Sequence, residues 1–333
     1  MKSLSVIIPC RNEERYISKC LDSLLGSTYP KEAMEVLVVD GLSDDDTRTI
    51  VTEYAFHHPF IRLINNPERA TPQALNLGIT EGSGEFIVIL SAHGDYPNDY
   101  FEKLVSESIR LDEACTGGVL NTRTVSNTPT AAAIINVLED RFGTGSRFRS
   151  GASKISEVDT VAFGCYRRDV FEKFGLFDER LIRNQDIEFN KRILHGGGKI
   201  YLIPDVTCTY YARDTYAGLA KNNYQNGYWN ILTPYYTHTL RSLSLRHFVP
   251  LLFVLGLIIP SLLALLYPPF LYISGILLCI YLSIIAVRSW QIKNNTTWLH
   301  QIAAFVTLHF SYGFGGIGGI IALTKKILFR GSL

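Results

Sequence analysis

The sequence predicts an α/β domain with a doubly wound parallel sheet, followed by a C-terminal α-helical membrane region. Three observations carry this prediction. Short β-branched strands alternate with amphipathic helices as far as Leu90. Polar, ligand-type side chains gather where those strands end. Charged residues are common up to Arg246 and scarce beyond it.

"LSVIIP" reads as the first strand and ends in proline. "NEERYISKCLDSLLGS" places Ile17, Leu21, Leu24 and Leu25 at helical spacing. "MEVLVVDG" is a second buried strand. "SDDDTRTIVTEYA" opens with an N-cap-like Ser43 and acids that suit a helix N-terminus. The acids at 44–46 are read as a solvated helix start rather than a metal cluster. "IRLINN" is the third strand, "ATPQALNLGITEG" the third helix and "GEFIVIL" the fourth strand. In such sheets ligands bind at the carboxyl ends of the strands. Those ends read "PCRNE", "DG" and "SAHGD", with Arg69 before the third helix. Asp40 can accept an N–H from a base or a ribose hydroxyl, and Arg69 can pair with a phosphate. No G-x-G-x-x-G or P-loop pattern is present, which disfavours a dinucleotide or P-loop site.

The formal charge of +1 over 333 residues gives no sign of a nucleic-acid binder. Six scattered cysteines form no C-x-x-C pair and read as buried thiols in a reducing compartment. The N-terminus lacks a signal-peptide h-region, so the first domain is expected to stay in the cytosol.

Beyond Arg246 the chain is apolar. Arg246–Tyr267 and Pro268–Val287 are each long enough to span a bilayer, and Tyr-Pro-Pro between them predicts a helical hairpin. A third run extends to Leu323. Arg241, Arg246, Arg288 and Lys293 fit one cytosolic side, but a third span would place Lys325, Lys326 and Arg330 outside. With His300, His309 and "GFGGIGG", the third run is expected to be a re-entrant or interfacial hairpin. The expected domains are 1–213 catalytic, 214–246 an aromatic interfacial segment and 247–333 membrane helices.

Several ordered stretches resemble the family 2 glycosyltransferases with the GT-A fold. They are "SVIIPCRNEERYISKCLDSLL", "VLVVDGLSDDDT", "ERATPQALNLGI", "GEFIVIL", "VAFGCYRRDVFEKFGLFDE" and "NQDIEFNKRIL", spanning Ser3 to Arg213. Within the family they look most like the succinoglycan-type membrane-associated glucosyltransferases. The resemblance implies inverting transfer of a sugar from a nucleotide-diphosphate sugar, with a UDP-hexose as the expected donor. It points to Asp186 as general base, in Gln185-Asp186 where the family has Glu-Asp, with Glu188 as runner-up. The family's Asp-x-Asp metal motif aligns with Ser91-Ala92-His93. Imidazole suits Mn²⁺ better than Mg²⁺, so His93 is read as a Mn²⁺ ligand and Asp95 as an added carboxylate. The alternative is that His93 hydrogen-bonds the diphosphate and no metal binds directly. Ser91 lacks a carboxylate's charge and is kept as a nucleotide-sugar contact. Carried over position by position, Pro9, Arg11 and Glu13 lie near base and ribose, Asp40 accepts from uracil N3–H, and Arg69 faces the diphosphate or the metal motif.

The expected acceptor is a polyprenyl-diphosphate-linked glycan at the inner leaflet, with Arg213 and Lys221 as phosphate contacts. The enzyme would be a multi-pass inner-membrane protein with a cytoplasmic catalytic domain. Gln225 and Trp229 only partly match the Gln-x-x-Arg-Trp motif of processive synthases, since the arginine is missing. A processive synthase and a tethered nucleotide-sugar binder with a decayed metal motif are the competing readings.

Overall fold

The computed structural model describes residues 2–329. The chain forms two compact units, one of residues up to Arg123 with Ser146–Tyr211, the other of Thr124–Gly145 with the chain from Ala212 onward. The expected boundary is at 213, and the two compact units divide after Tyr211. The contiguous 1–213 domain differs in one respect, because 124–145 clusters with the C-terminal unit.

The first unit opens with β1 (Leu4–Cys10), α1 (Ile17–Leu25), β2 (Met34–Asp40), α2 (Thr47–His57), β3 (Ile61–Asn65), α3 (Thr71–Glu81) and β4 (Phe86–Ile89). All seven correspond to elements read from the sequence. Next come β5 (Gly94–Asp95), α4 (Tyr100–Leu111) and β6 (Cys115–Arg123). The chain then passes through α5 (Pro129–Glu139) of the second unit and returns as α6 (Arg147–Ser150). The unit closes with β7 (Ser156–Glu157), β8 (Ala162–Arg167), α7 (Arg168–Phe174), α8 (Gln185–His195) and β9 (Ile200–Tyr211).

The strand order is β3-β2-β1-β4-β8-β6-β9-β5, with β7 on β9. β1, β2, β3 and β4 pair in parallel, as the strand–helix alternation predicts. β8 then runs antiparallel to both β4 and β6, so the sheet is mixed rather than parallel throughout. The two faces of β1 and β2 show why these strands are apolar at nearly every position. Val6, Ile8, Val36 and Val38 pack with α1 and α4 on one side. Ile7, Leu37 and Val39 pack with α3 and α8 on the other. Strands buried on both faces cannot alternate polar with apolar residues.

Gly84 ties β4 to β1. A Cβ there would lie 2.4 Å from the Ser5 backbone nitrogen and 2.7 Å from the Leu4 carbonyl carbon. Backbone cannot yield as a side-chain tip can. Gly84→Ala is therefore expected to destabilise the first unit by about 1–3 kcal/mol, read as a lower urea midpoint with an unchanged slope.

The second unit contains α5, then α9 (Tyr216–Thr237), α10 (Val249–Leu263), α11 (Phe270–Ile292) and α12 (Trp298–Leu328). Three helical segments, Leu245–Leu263, Phe270–Ile292 and Trp298–Leu328, are long and apolar enough to cross a membrane. α10 and α11 form the expected hairpin, joined by Ser274 Oγ donating to Leu257 O at 2.9 Å. The expected break in the third run does not occur. α12 is one continuous helix through "GFGGIGG". Its glycines serve close packing: a Cβ on Gly315 would lie 2.0 Å from Tyr224 O, and one on Gly319 2.5 Å from Tyr228 O. Glycine in a helix loses stability to solvent, but here the missing side chain admits α9. Arg330, counted among the terminal cations, lies outside the described residues.

α5 belongs with these helices for identifiable reasons. Ala133, Ile134 and Val137 pack with Phe305 and Leu308. Asp140, almost wholly buried, pairs with Arg288 of α11. Asn136 donates to Gln301 Oε1 at 3.0 Å. All six cysteines are free thiols, and among them only Cys279 is exposed.

Candidate active site

The site is built from the carboxyl ends of β1, β2 and β4, the positions where a parallel sheet leaves backbone and side chains free. Pro9 stands in register with Val39 near the end of β1. The loop that follows is laced to the loop after β2. Asn12 N donates to Ser43 Oγ at 2.8 Å, and Asp44 N donates to Asn12 Oδ1 at 3.1 Å. Glu13 N donates to Thr47 Oγ1 at 2.7 Å. Asp45 accepts from Thr47 N at 3.0 Å and from Glu14 N at 3.2 Å. Asp45 thus organises a turn, and the expected helix start does not include these acids: α2 starts at Thr47 and Ser43 does not cap it.

Ser43 closes on Asp40 instead. Asp40 is fully buried, with its Oδ1 taking the Ser43 hydroxyl at 2.5 Å. Its Oδ2 takes Ser43 N at 3.1 Å and Arg48 Nη1 at 2.6 Å. A uracil N3–H would have to displace one of these donors. In this structure Asp40 orders the loop and is neutralised by Arg48, a residue the sequence reading did not single out.

The structure brings Glu13 and His93 together. Glu13 Oε1 lies 2.8 Å from His93 Nε2, and both side chains are part-buried. Tyr16 packs its ring on the imidazole, with centroids 4.3 Å apart. Ser91 shapes the turn that presents His93. Its Oγ accepts from His93 N at 3.2 Å, and its carbonyl accepts from Gly94 N at 3.0 Å and from Tyr96 Oη at 3.1 Å. Those bonds give Ser91 a turn-forming role.

Asp95 departs from the expected metal pair. β5 pairs with Thr209 and Tyr210 of β9, and Asp95 forms an ion pair with Lys19 at 3.1 Å. Lys19 also donates to Tyr211 Oη and lies over its ring. Among the described residues no group of three His, Cys, Asp or Glu side chains could hold a metal ion. Tyr16 and Lys19 were missed, although their spacing of three at the start of α1 puts them on one helical face.

Arg11 and Arg69 converge on Gly41. A Cβ on Gly41 would lie 3.3 Å from Arg11 Cδ and 3.4 Å from Arg69 Cα. Both arginines are exposed, and neither guanidinium has an ion-pair partner among the described residues. Arg69 has φ +57, a left-handed backbone conformation uncommon for arginine. Two arginines without an ion-pair partner beside one strand end are candidates for binding an anion.

Asp186 and Glu188 lie in the first turn of α8, yet the structure treats them differently. Glu188 is buried and held by Arg192 through two bonds, at 2.9 and 2.6 Å. Arg192 is itself fixed by the carbonyls of Phe174 and Leu176. Glu188 is therefore a structural partner of Arg192. Asp186 is exposed to solvent yet ringed by protein. That surrounding protein pushes its carboxyl above the ordinary aspartate value, against backbone N–H groups and the charge of Arg183. Beside it, Gln185 Oε1 is buried without a hydrogen-bond partner among the described residues. α8 is anchored by Asn190, which accepts from Tyr166 Oη at 3.1 Å and donates to Thr160 Oγ1 at 2.9 Å.

The family model described as Glycosyl transferase family 2 matches residues 5–175. The chain belongs to glycosyl transferase family 2. This family 2 enzyme is a glycosyltransferase with a GT-A-type Rossmann-like sheet and three apolar helices able to span a membrane. A relative from Methanococcus voltae is 33% identical over 251 residues, covering 70% of this chain and 77% of that protein. It is a dolichyl N-acetyl-alpha-D-glucosaminyl phosphate 3-beta-D-2,3-diacetamido-2,3-dideoxy-beta-D-glucuronosyltransferase. The succinoglycan biosynthesis protein ExoA of Rhizobium meliloti is 30% identical over 211 residues, 62% of this chain and 63% of that protein. Among solved structures, the mannosyltransferase PcManGT from Pyrobaculum calidifontis, in complex with GDP-Man and Mn²⁺, superposes with a TM-score of 0.60. It is 19% identical, covering 93% of this chain and 87% of that one, and so shares the fold.

Proposed function

We propose that this glycosyltransferase moves a hexose from a UDP-sugar to a polyprenyl-diphosphate-linked glycan at the cytoplasmic face of the membrane, with inversion. The observation that carries the reading is the contrast in α8. Of its two first-turn acids, Asp186 is open to solvent and its carboxyl is pushed above the ordinary value, whereas Glu188 is buried against Arg192. Asp186 takes the proton of the acceptor hydroxyl as that oxygen attacks the anomeric carbon.

Arg11 and Arg69 bind the diphosphate and stabilise it as it leaves. Arg69→Ala is expected to raise the donor KM by roughly tenfold with a smaller change in kcat, and Arg11→Ala to do the same. Steady-state kinetics at varied UDP-sugar concentration checks this. Pro9 and the Asp40–Ser43–Arg48 group shape the nucleotide end of the crevice.

The donor set fits a divalent cation carried in on a diphosphate. Glu13 and His93 would supply one carboxylate oxygen and one imidazole nitrogen, now 2.8 Å apart, and phosphate oxygens the rest. The mixed nitrogen–oxygen set favours Mn²⁺ over Mg²⁺. When bound, such a cation would supply positive charge against the departing diphosphate. Asp95, paired with Lys19, is left out of this set.

A lipid-linked acceptor is supported by the Methanococcus voltae relative, whose name carries a dolichyl sugar phosphate, and by the three apolar helices. The test is a donor screen with a lipid-extract acceptor, reading product mass and nucleotide-diphosphate release with and without Mn²⁺. Transfer to a water-soluble acceptor alone, or release that no UDP-sugar supports, would overturn the proposal.

A further inference from the structure

We infer that α12 does not cross the membrane: it lies along the surface with α9, and only the α10–α11 hairpin enters the hydrocarbon. The inference rests on the membrane reading above and concerns the second unit alone.

The first observation is that α9 and α12 run parallel and in contact from first turn to last. Tyr216 Oη donates to His300 O at 2.9 Å. Further along, a Cβ on Gly227 would lie 1.9 Å from Tyr312 O, and one on Gly319 2.9 Å from Ile231 Cβ. Near the far end, Lys326 Nζ donates to Tyr236 Oη at 2.6 Å. Whatever environment α12 occupies, α9 shares it.

The second observation is what α9 would carry into lipid. Lys221 is exposed, and Asn222, Gln225 and Asn226 are half-buried. A Lys and four amides within six consecutive residues oppose insertion of a helix into hydrocarbon. The same residues suit the headgroup region. So do the exposed Leu299, Phe314, Ile321 and Leu328 of α12, which lie on a helix ending in Lys325 and Lys326.

The third observation is how α12 meets the hairpin. The buried residues of α10 are Leu251 and Val254, both near its start. They pack on Gly316 and Gly313 of α12. α11 reaches α12 through Trp298 Nε1, which donates to Ala286 O, and through Tyr281 and His309. Beyond those points the two hairpin helices meet each other, at Gly256–Leu277 and Ser261–Ser274. α12 therefore meets the hairpin from its open end to about the middle of α11 and leaves the half nearer the turn uncovered. From Phe248 to Val287 the hairpin has no charged residue, and Leu265, Leu266 and Tyr272 are largely exposed. Its only fitting partner is lipid. This arrangement keeps Arg246, Arg288, Lys325 and Lys326 on one side, in accord with the positive-inside rule.

The test uses the full-length chain in its native membrane with the exposed thiol removed by Cys279→Ala. Asn295→Cys, between α11 and α12, and Ile327→Cys, in the last turn of α12, are each labelled with a membrane-impermeant thiol reagent from either face. Labelling of both positions from the same face is expected. Labelling from opposite faces overturns the inference. It is equally overturned if Ile327→Cys reacts from neither face yet reacts after detergent extraction, which would put α12 inside the hydrocarbon. Sidedness is independent of catalysis, so failure here is distinguishable from failure of the proposed reaction.

Discussion

Asp186→Asn is expected to lower kcat by about 10²–10⁴-fold while leaving donor binding near its original strength. The amide keeps the size and the helix-terminal position but cannot take a proton. The pH profile is the sharper measurement. A base must be ionised, so kcat/KM falls as pH drops through its pKa. Because the protein surrounding Asp186 raises its carboxyl, the acidic limb of the profile should lie above the ordinary aspartate value of about 3.9. Glu188→Gln supplies the contrast. It removes the partner of Arg192 and is expected to lower thermal stability, yet to keep the acidic limb in place. An Asp186→Asn enzyme with full turnover, or a limb that moves with Glu188 instead, would sink the assignment.

His93→Ala is expected to cost about 10²–10³-fold in turnover and to blunt activation by Mn²⁺. Glu13→Gln should behave similarly, since the two side chains face each other at 2.8 Å. Asp95→Asn should have a much smaller effect, because that carboxylate faces Lys19. A Mn²⁺ titration of turnover in the three variants separates them. If Asp95→Asn proves as damaging as His93→Ala, the ligand pair read from the sequence is restored and Glu13 becomes a positioning residue.

Much of the first unit is legible in the chain. β1, β2, β3 and β4 announce themselves by apolar runs ending in proline or polar clusters, and α1 and α3 by their spacing. The antiparallel β8 is different. "VAFGCYRR" enters the sequence reading only as part of a family motif, and nothing local says that it inserts between β4 and β6. Strand order depends on partners far away in sequence. The same holds for α5. Its Ala-rich apolar run suits either unit, and the contacts of Asp140 with Arg288 and of Asn136 with Gln301 decide which one holds it.

The site divides the same way. Residue types at strand ends identified Glu13, Asp40, Arg69 and His93 as members of one crevice. They left open which carboxylate faces which cation. The sequence reading sets Asp95 beside His93 and Glu13 near the base and ribose, whereas β5 pairs with β9, Asp95 meets Lys19 and Glu13 meets His93. Asp186 and Glu188 share one helical turn, and only Arg192 distinguishes them.

By itself the sequence determined the class of fold, the family of chemistry and the presence of a membrane-seeking tail. These are set by local quantities: periodicity, residue type at a strand end, and unbroken apolar length. Tertiary structure alone decided the partner of each charge and the conformation of the glycine-rich stretch in α12. "GFGGIGG" looks like a helix breaker because isolated glycine gains more entropy on unfolding than other residues. In the folded unit its bare backbone lets α9 approach closely, and that packing keeps the helix intact.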